Sequence, residues 1–230
     1  MLKEIKSAAK KPSPDSEARA PDRPKRNHRN PEKVIAGILA AAIDEFSTHG
    51  FAGARIDRIS KKANTADRML YYYFGNKESL YEAVLEEVYR RLTEEQRRFV
   101  APKNDPVAAL TAMIVQIWDN YVKHPEFIRL IMSENLLYGR FIRQSATIKN
   151  SSSPLVEVLD QILQDGKEKG IFRRNADTSI TLMTIMSLGF FYISNQYTYS
   201  FWLINDMTST HRSEVWLAHI KSLVLNDLLV

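Results

Sequence analysis

Residues 56–80 read IDRISKKANTADRMLYYYFGNKESL, and the fold turns on how this stretch is built. Ile56, Ile59 and Ala63 recur at helical spacing, so the first part is a short helix with one apolar stripe. Asn64 stands where the chain must reverse, and asparagine tolerates the left-handed backbone that such a turn needs. A second helical run begins at Thr65, in which Leu70, Tyr73 and Phe74 face inward while Arg68, Tyr71 and Tyr72 face out. Two helices joined by a tight turn form the helix-turn-helix that reads DNA, its second helix entering the major groove.

Just upstream, Asn30 followed by Pro31 is a helix start, with Asn as the cap and Pro in the first turn. Val34, Ile38, Ala41, Ala42 and Phe46 then share one face of a helix expected over 31–49. Gly50 is its expected C-cap, and Phe51 is expected to bury against it. Three helices this closely spaced make a tri-helical DNA-binding unit over 30–76.

Composition bounds the rest. The 230 residues are 44% apolar and 26% charged, ordinary for a globular chain able to bury a sizeable core. Glycine and proline are sparse beyond residue 30, which favours an all-α body. With no cysteine there is no disulfide, thiolate metal site or Cys nucleophile, in keeping with a cytoplasmic protein. The first 30 residues hold nine Lys or Arg against four acids, so they carry the whole formal net charge of +5. Residues 1–29, with four prolines and few large apolar groups, are expected to be a disordered basic tail. Such a tail either reaches DNA phosphates or the minor groove, or merely solvates the protein. No apolar run of signal-peptide length stands at the N-terminus.

The stretch NPEKVIAGILAAAIDEFSTHGFAGARIDRISKKANTADRMLYYYFGNKESLYEAVL, residues 30–85, strongly resembles the DNA-binding domain of the TetR family of transcriptional regulators. The resemblance rests on Phe46, Gly50, Phe51, Ile56, Ile59, Ala63, Leu70, Tyr71, Tyr73, Phe74, Asn76, Lys77, Glu78 and Leu80 at the family's spacings. Ala54-Arg55 replaces the usual Thr before the second helix, Ser60 replaces an Ala, and Asn64-Thr65-Ala66 replaces Gly-Val-Ser in the turn. The resemblance implies a homodimer on a palindromic double-stranded DNA operator, released by a small-molecule effector. It also implies that Arg55 and Lys77 grip phosphates. In the recognition helix, Arg68 suits guanine through its fork and Met69 suits a thymine methyl. Tyr71 and Tyr72 offer ring and hydroxyl contacts to phosphate or sugar. Thr65 or Asp67 stands in for the missing Ser cap, or Asp67 accepts from a cytosine amino group. Arg58, Lys61 and Lys62 read as a solvated helix face.

Residues 77–230 read as a helical regulatory and dimerisation domain, with helices over 77–100, 106–123, 125–136, 138–145, 155–169, 177–199 and 214–229. Ile180–Asn205 contains no charged residue, yet Thr, Ser, Asn and Gln interrupt it too often for a membrane span. A helix apolar most of the way round needs covering on two sides, which points to a dimer through the last two helices. Trp118, Tyr121, Met132, Tyr138, Phe141, Met183, Met186 and Phe190 suit an apolar pocket, with Asn135 and Gln196 as orienting polar groups. Each apolar one taken singly is more often plain core, and it is the family resemblance that implies a pocket. No Gly-rich phosphate loop, HExxH or Gly-x-Ser-x-Gly is present and the five His are scattered, so neither an enzyme, a metal nor a cofactor is expected. The alternatives are a helical DNA-binding protein without an effector and a general nucleic-acid binder driven by the tail. Salt titration separates the latter, because only a specific dimer keeps its preference for one operator.

Overall fold

The computed structural model describes residues 30–150 and 153–230, which form ten α-helices and no β-sheet. The tail expected over 1–29 lies outside the described residues. The first helix, α1 (Pro31–Gly53), starts where Asn30 Oδ1 accepts the Glu32 N–H at 3.0 Å. Gly50 interrupts it at φ +66°, as a C-cap glycine would, but one further turn follows to Gly53. The reading unit is α2 (Ile56–Lys62) and α3 (Asp67–Phe74), and α4 (Lys77–Arg97) follows at once, capped by Asn76 on the Ser79 N–H at 2.7 Å. Beyond them come α5 (Pro106–Lys123), α6 (Pro125–Leu136), α7 (Ala146–Lys149), α8 (Pro154–Glu168), α9 (Thr178–Trp202) and α10 (Thr210–Leu228).

The helix expected over 138–145 does not form. Tyr138 and Gly139 adopt φ +56° and +67°, and two successive left-handed residues end an α-helix. The buried Glu134 carboxylate fixes the turn instead, accepting the Phe141 and Ile142 N–H groups at 3.1 Å each. Ser145 then caps the short α7.

Two apolar clusters hold the molecule. One joins Ile38, Ala42 and Phe46 of α1 to Ile59, Leu70, Leu80, Tyr81 and Val84, and takes in Leu130 and Phe141 from beyond α4. Packing therefore does not stop at residue 77. Phe51, Tyr81 and Phe141 close a ring triad with centroids 4.8–5.2 Å apart, bringing α1, α4 and the turn after α6 together. By length and composition α1 could cross a membrane, but its apolar face is spent on this core, with Ile38, Ala42 and Phe46 fully buried. The second cluster is built by α5, α8, α9 and α10 around residues such as Leu110, Ile114, Leu163, Ile185 and Val224. Along α9 the buried face carries Ile185, Gly189, Tyr192 and Ile193. The opposite face leaves Ile180, Met183, Phe191, Phe201 and Trp202 in solvent at helical spacing.

Candidate nucleic-acid interface

The turn between α2 and α3 is built from backbone. Asn64 takes φ +50°, Ala63 N–H closes on Ile59 O at 2.9 Å and Thr65 N–H on Ser60 O at 3.0 Å. Ile59 and Leu70 are buried where α2 and α3 cross. This burial rotates α3 so that Asp67, Arg68, Tyr71 and Tyr72 stand exposed, while Met69 and Thr65 are half-buried. Tyr72 is 76% exposed and meets Tyr73 edge-on at 5.0 Å, which props its ring outward. Tyr73 and Phe74 pack against the core, as expected.

The caps differ from expectation. Ala66 occupies the N-cap of α3 and neither Thr65 nor Asp67 caps it. The Asp67 carboxylate instead accepts the Ser60 hydroxyl and ties α3 to α2. That bond occupies one oxygen of the group expected to meet cytosine.

The proposed phosphate grips are held by short-range partners. Arg55 lies two-pronged on Asp57, with both bonds at 3.0 Å. Hydrogen bonding to Arg55 holds the Asp57 carboxyl below its ordinary range. A phosphate must therefore compete with Asp57 for Arg55. Lys77 reaches Ala52 O at 3.4 Å with its ammonium 5.0 Å from the Phe51 ring centroid, so it lies folded on the end of α1.

Sequence reasoning missed the anchor of the whole face. Glu45 of α1, 7% exposed, accepts the Arg55 N–H at 2.9 Å and Arg58 Nε at 2.7 Å, and His49 lies 3.8 Å away. Arg58 also donates to Gly53 O at 2.7 Å. Arg58 is thus a strut between α1 and α2, and Lys62 pairs with Asp44, so only Lys61 of that trio is a solvated cation. The available signal was an acid, Glu45, lying among Ala41, Ala42 and Phe46 on the buried side of α1.

The residues expected to line a pocket come together only in part. Tyr121, Met183, Met186 and Phe190 share one open groove of about 610 Å3 against α8 and α9. Gln196 lies in a separate small cavity beside Trp216. Trp118 is core, packed against Tyr192 at 5.3 Å. Phe141 belongs to the ring triad beneath α1, because the turn at 138–139 carries it there. Met132, Asn135 and Tyr138 are exposed, the last at 84%.

A buried helix-turn-helix frame presenting Arg68, Tyr71 and Tyr72 on one side, packed on a larger helical body, defines the class of helix-turn-helix DNA-binding proteins. Comparison with known proteins is specific. Residues 38–84 match the model for bacterial regulatory proteins of the tetR family. Residues 106–224 match the tetracyclin repressor-like C-terminal domain. The HTH-type transcriptional repressor NicS of Pseudomonas putida is 39% identical over 197 residues, 86% of this chain and 93% of that protein. The HTH-type transcriptional repressor SCO4008 of Streptomyces coelicolor is 32% identical over 145 residues, 62% of this chain and 69% of that one. The fatty acid degradation regulator FadR from Bacillus halodurans shares the fold at a TM-score of 0.61 and 22% identity, across 83% of this chain and 94% of that one. The chain belongs to the TetR family, and it is a sequence-specific DNA-binding transcriptional regulator.

Proposed function

We propose that the protein is a cytoplasmic repressor that binds a palindromic operator as a homodimer and leaves it when a small molecule binds the helical body. The observation that carries this is the pair of unspent surfaces on one chain. Arg68, Tyr71 and Tyr72 face out of α3, and Ile180, Met183, Phe191, Phe201 and Trp202 face out of α9. A contiguous apolar stripe in solvent marks an interaction face. Pairing it with the same stripe of a second copy, with the outer face of α10 alongside, buries it and sets two reading heads on one duplex. Half-sites then stand about 34–36 Å apart, one helical turn.

Release follows from the frame. The heads hang on α4 and on the α1–α6 packing, so a ligand that favours a different spacing of α4 and α6 misplaces them. A ligand that binds both arrangements equally releases nothing. The test is selection of bound fragments from a random DNA pool, with the oligomeric state measured by sedimentation. A two-fold symmetric consensus bound by a dimer supports the reading; a monomer, or a pool with no consensus, sinks it.

A further inference from the structure

Beside the reading helix, a groove of about 310 Å3 runs between the start of α1 and the turn that leads into α3. Asn30, Lys33, Val34 and Gly37 form one wall, and Ala63, Asn64 and Thr65 form the other. None of them is acidic. The Lys33 side chain is exposed and has no ion pair among the described residues. The Thr65 N–H is spent on Ser60 O, but its hydroxyl has no hydrogen-bond partner among the described residues. Arg55, Arg58 and Lys62 of the same head are, by contrast, all paired with acids. The groove therefore offers an unspent cation and an unspent hydroxyl, the complement of a phosphate.

Thr65 lies three residues before Arg68, so the groove opens beside the N-terminal end of α3. That end of a recognition helix meets the base edges, and phosphate backbones wall the major groove it enters. Asn30 is also where residues 1–29 join the head. The last seven of them, RPKRNHR over 23–29, hold Arg23, Lys25, Arg26 and Arg29 and no acid. Residues 31–230 are formally neutral, so this strip supplies a charge that the rest of the chain lacks. Seven residues span at most roughly 25 Å, enough to follow about seven base-pair steps. Resting on the reading of a dimer on an operator, we propose that the groove and residues 23–29 form a second DNA contact. Lys33 and Thr65 take a phosphate beside the major groove that α3 enters, and the four cations continue along the backbone from there. The contact is to phosphates, so it adds affinity without adding sequence preference. Attachment at Asn30 delivers it where the head has docked.

The test compares the full chain with a variant carrying Arg23→Gln, Lys25→Gln, Arg26→Gln and Arg29→Gln. Both are titrated against the selected operator and random DNA over a range of salt. At low salt the variant should bind both DNAs at least tenfold more weakly and keep its operator preference. The slope of log affinity against log salt should fall by at least about 3.5 per dimer. That is half of what eight released phosphates would remove at about 0.9 each. Lys33→Gln should lower the slope by about 2 per dimer. Circular dichroism and sedimentation of each variant should match the parent chain, which separates a lost contact from a lost fold. Because the chain has no cysteine, Asn27→Cys can carry a single iron–EDTA group. On the operator it should cut the backbone beside each half-site, in two patches related by the two-fold axis. Unchanged affinity and slope in the fourfold variant, or cleavage that is absent or spread evenly along the fragment, overturns the contact. An unchanged slope in Lys33→Gln overturns the part given to the groove, and a loss confined to the operator overturns the phosphate role. A consensus selected by both chains, with no effect of the four substitutions, sinks this inference alone. No consensus for either chain sinks the operator reading beneath it.

Discussion

At the scale of single residues, the proposed DNA face divides into side chains placed to read and side chains that hold. Arg68 is exposed, with no ion pair or hydrogen bond among the described residues, and free to meet a guanine edge. Arg68→Ala should cost about 1–3 kcal/mol on the selected operator and little on random DNA. Lys77→Ala should weaken both about equally and lower the salt dependence of binding. Equal losses for Arg68→Ala, measured side by side on the two DNAs, would remove its base-reading role. Glu45 belongs to the holding class. Glu45→Gln removes the charge under Arg58 and weakens the acceptor for the Arg55 N–H. Leaving such partners unsatisfied costs about 1–3 kcal/mol. Thermal melting should register it as a drop of roughly 2–4 °C per kcal/mol for a chain of this size. An unchanged melting temperature would mean that Arg58 finds another partner at no cost.

Single helices show why some of this was legible in the sequence and some was not. The α2–turn–α3 unit was, because Ile59, Asn64 and Leu70 act through spacings of a few residues. The cap by Asn30 was legible for the same reason. The strut from Glu45 to Arg58 was not, since it depends on how α1 crosses α2. Nor was the fate of 138–145, where a buried carboxylate on α6 overrides local helical preference. The pocket residues scattered for a like reason, because which helix meets which is settled only by the packed fold. Gly166 of α8 is another such contact: a Cβ there would lie 2.0 Å from Phe172 Cδ2, inside a ring that is itself 1% exposed. Gly166→Ala should destabilise by about 1–3 kcal/mol, as overpacking does, and should loosen the Phe172–Leu229 bridge that ties the C-terminus down. Denaturant midpoints test this, and an unshifted midpoint would show that Phe172 can move aside freely. Tyr81 of α4 and Tyr121 of α5 carry a pH signature. Burial raises both phenols from about 10 to about 12, so each keeps its proton longer in the folded chain than in the unfolded one. Stability should be indifferent to these groups below pH 10 and fall as pH rises from 10 through 12. Tyr81→Phe should flatten that fall in urea melts; an equally steep loss in the variant would place the cause elsewhere.

For the whole molecule the question is what one chain can do alone. A single head offers few base contacts, and Asp57 and Asp67 already engage Arg55 and Ser60 on its surface. The described residues carry little net positive charge of their own, because residues 1–30 account for the formal +5. On the proposed reading, affinity comes from using the head twice, with the second copy on the α9 stripe. Phe201, 82% exposed, and Phe191, 45% exposed, lie on that stripe away from both cores. The double substitution Phe191→Asp with Phe201→Asp places charges where the partner's stripe would have to bury them, at several kcal/mol for unpaired charge. The chain should then sediment as a monomer while keeping its helical circular dichroism, since neither side chain supports the fold. Operator affinity should fall by at least 100-fold, toward that for random DNA, because the second head no longer arrives with the first. A variant that stays dimeric would move the interface off α9, and one that becomes monomeric yet holds the operator tightly would show that a single head suffices.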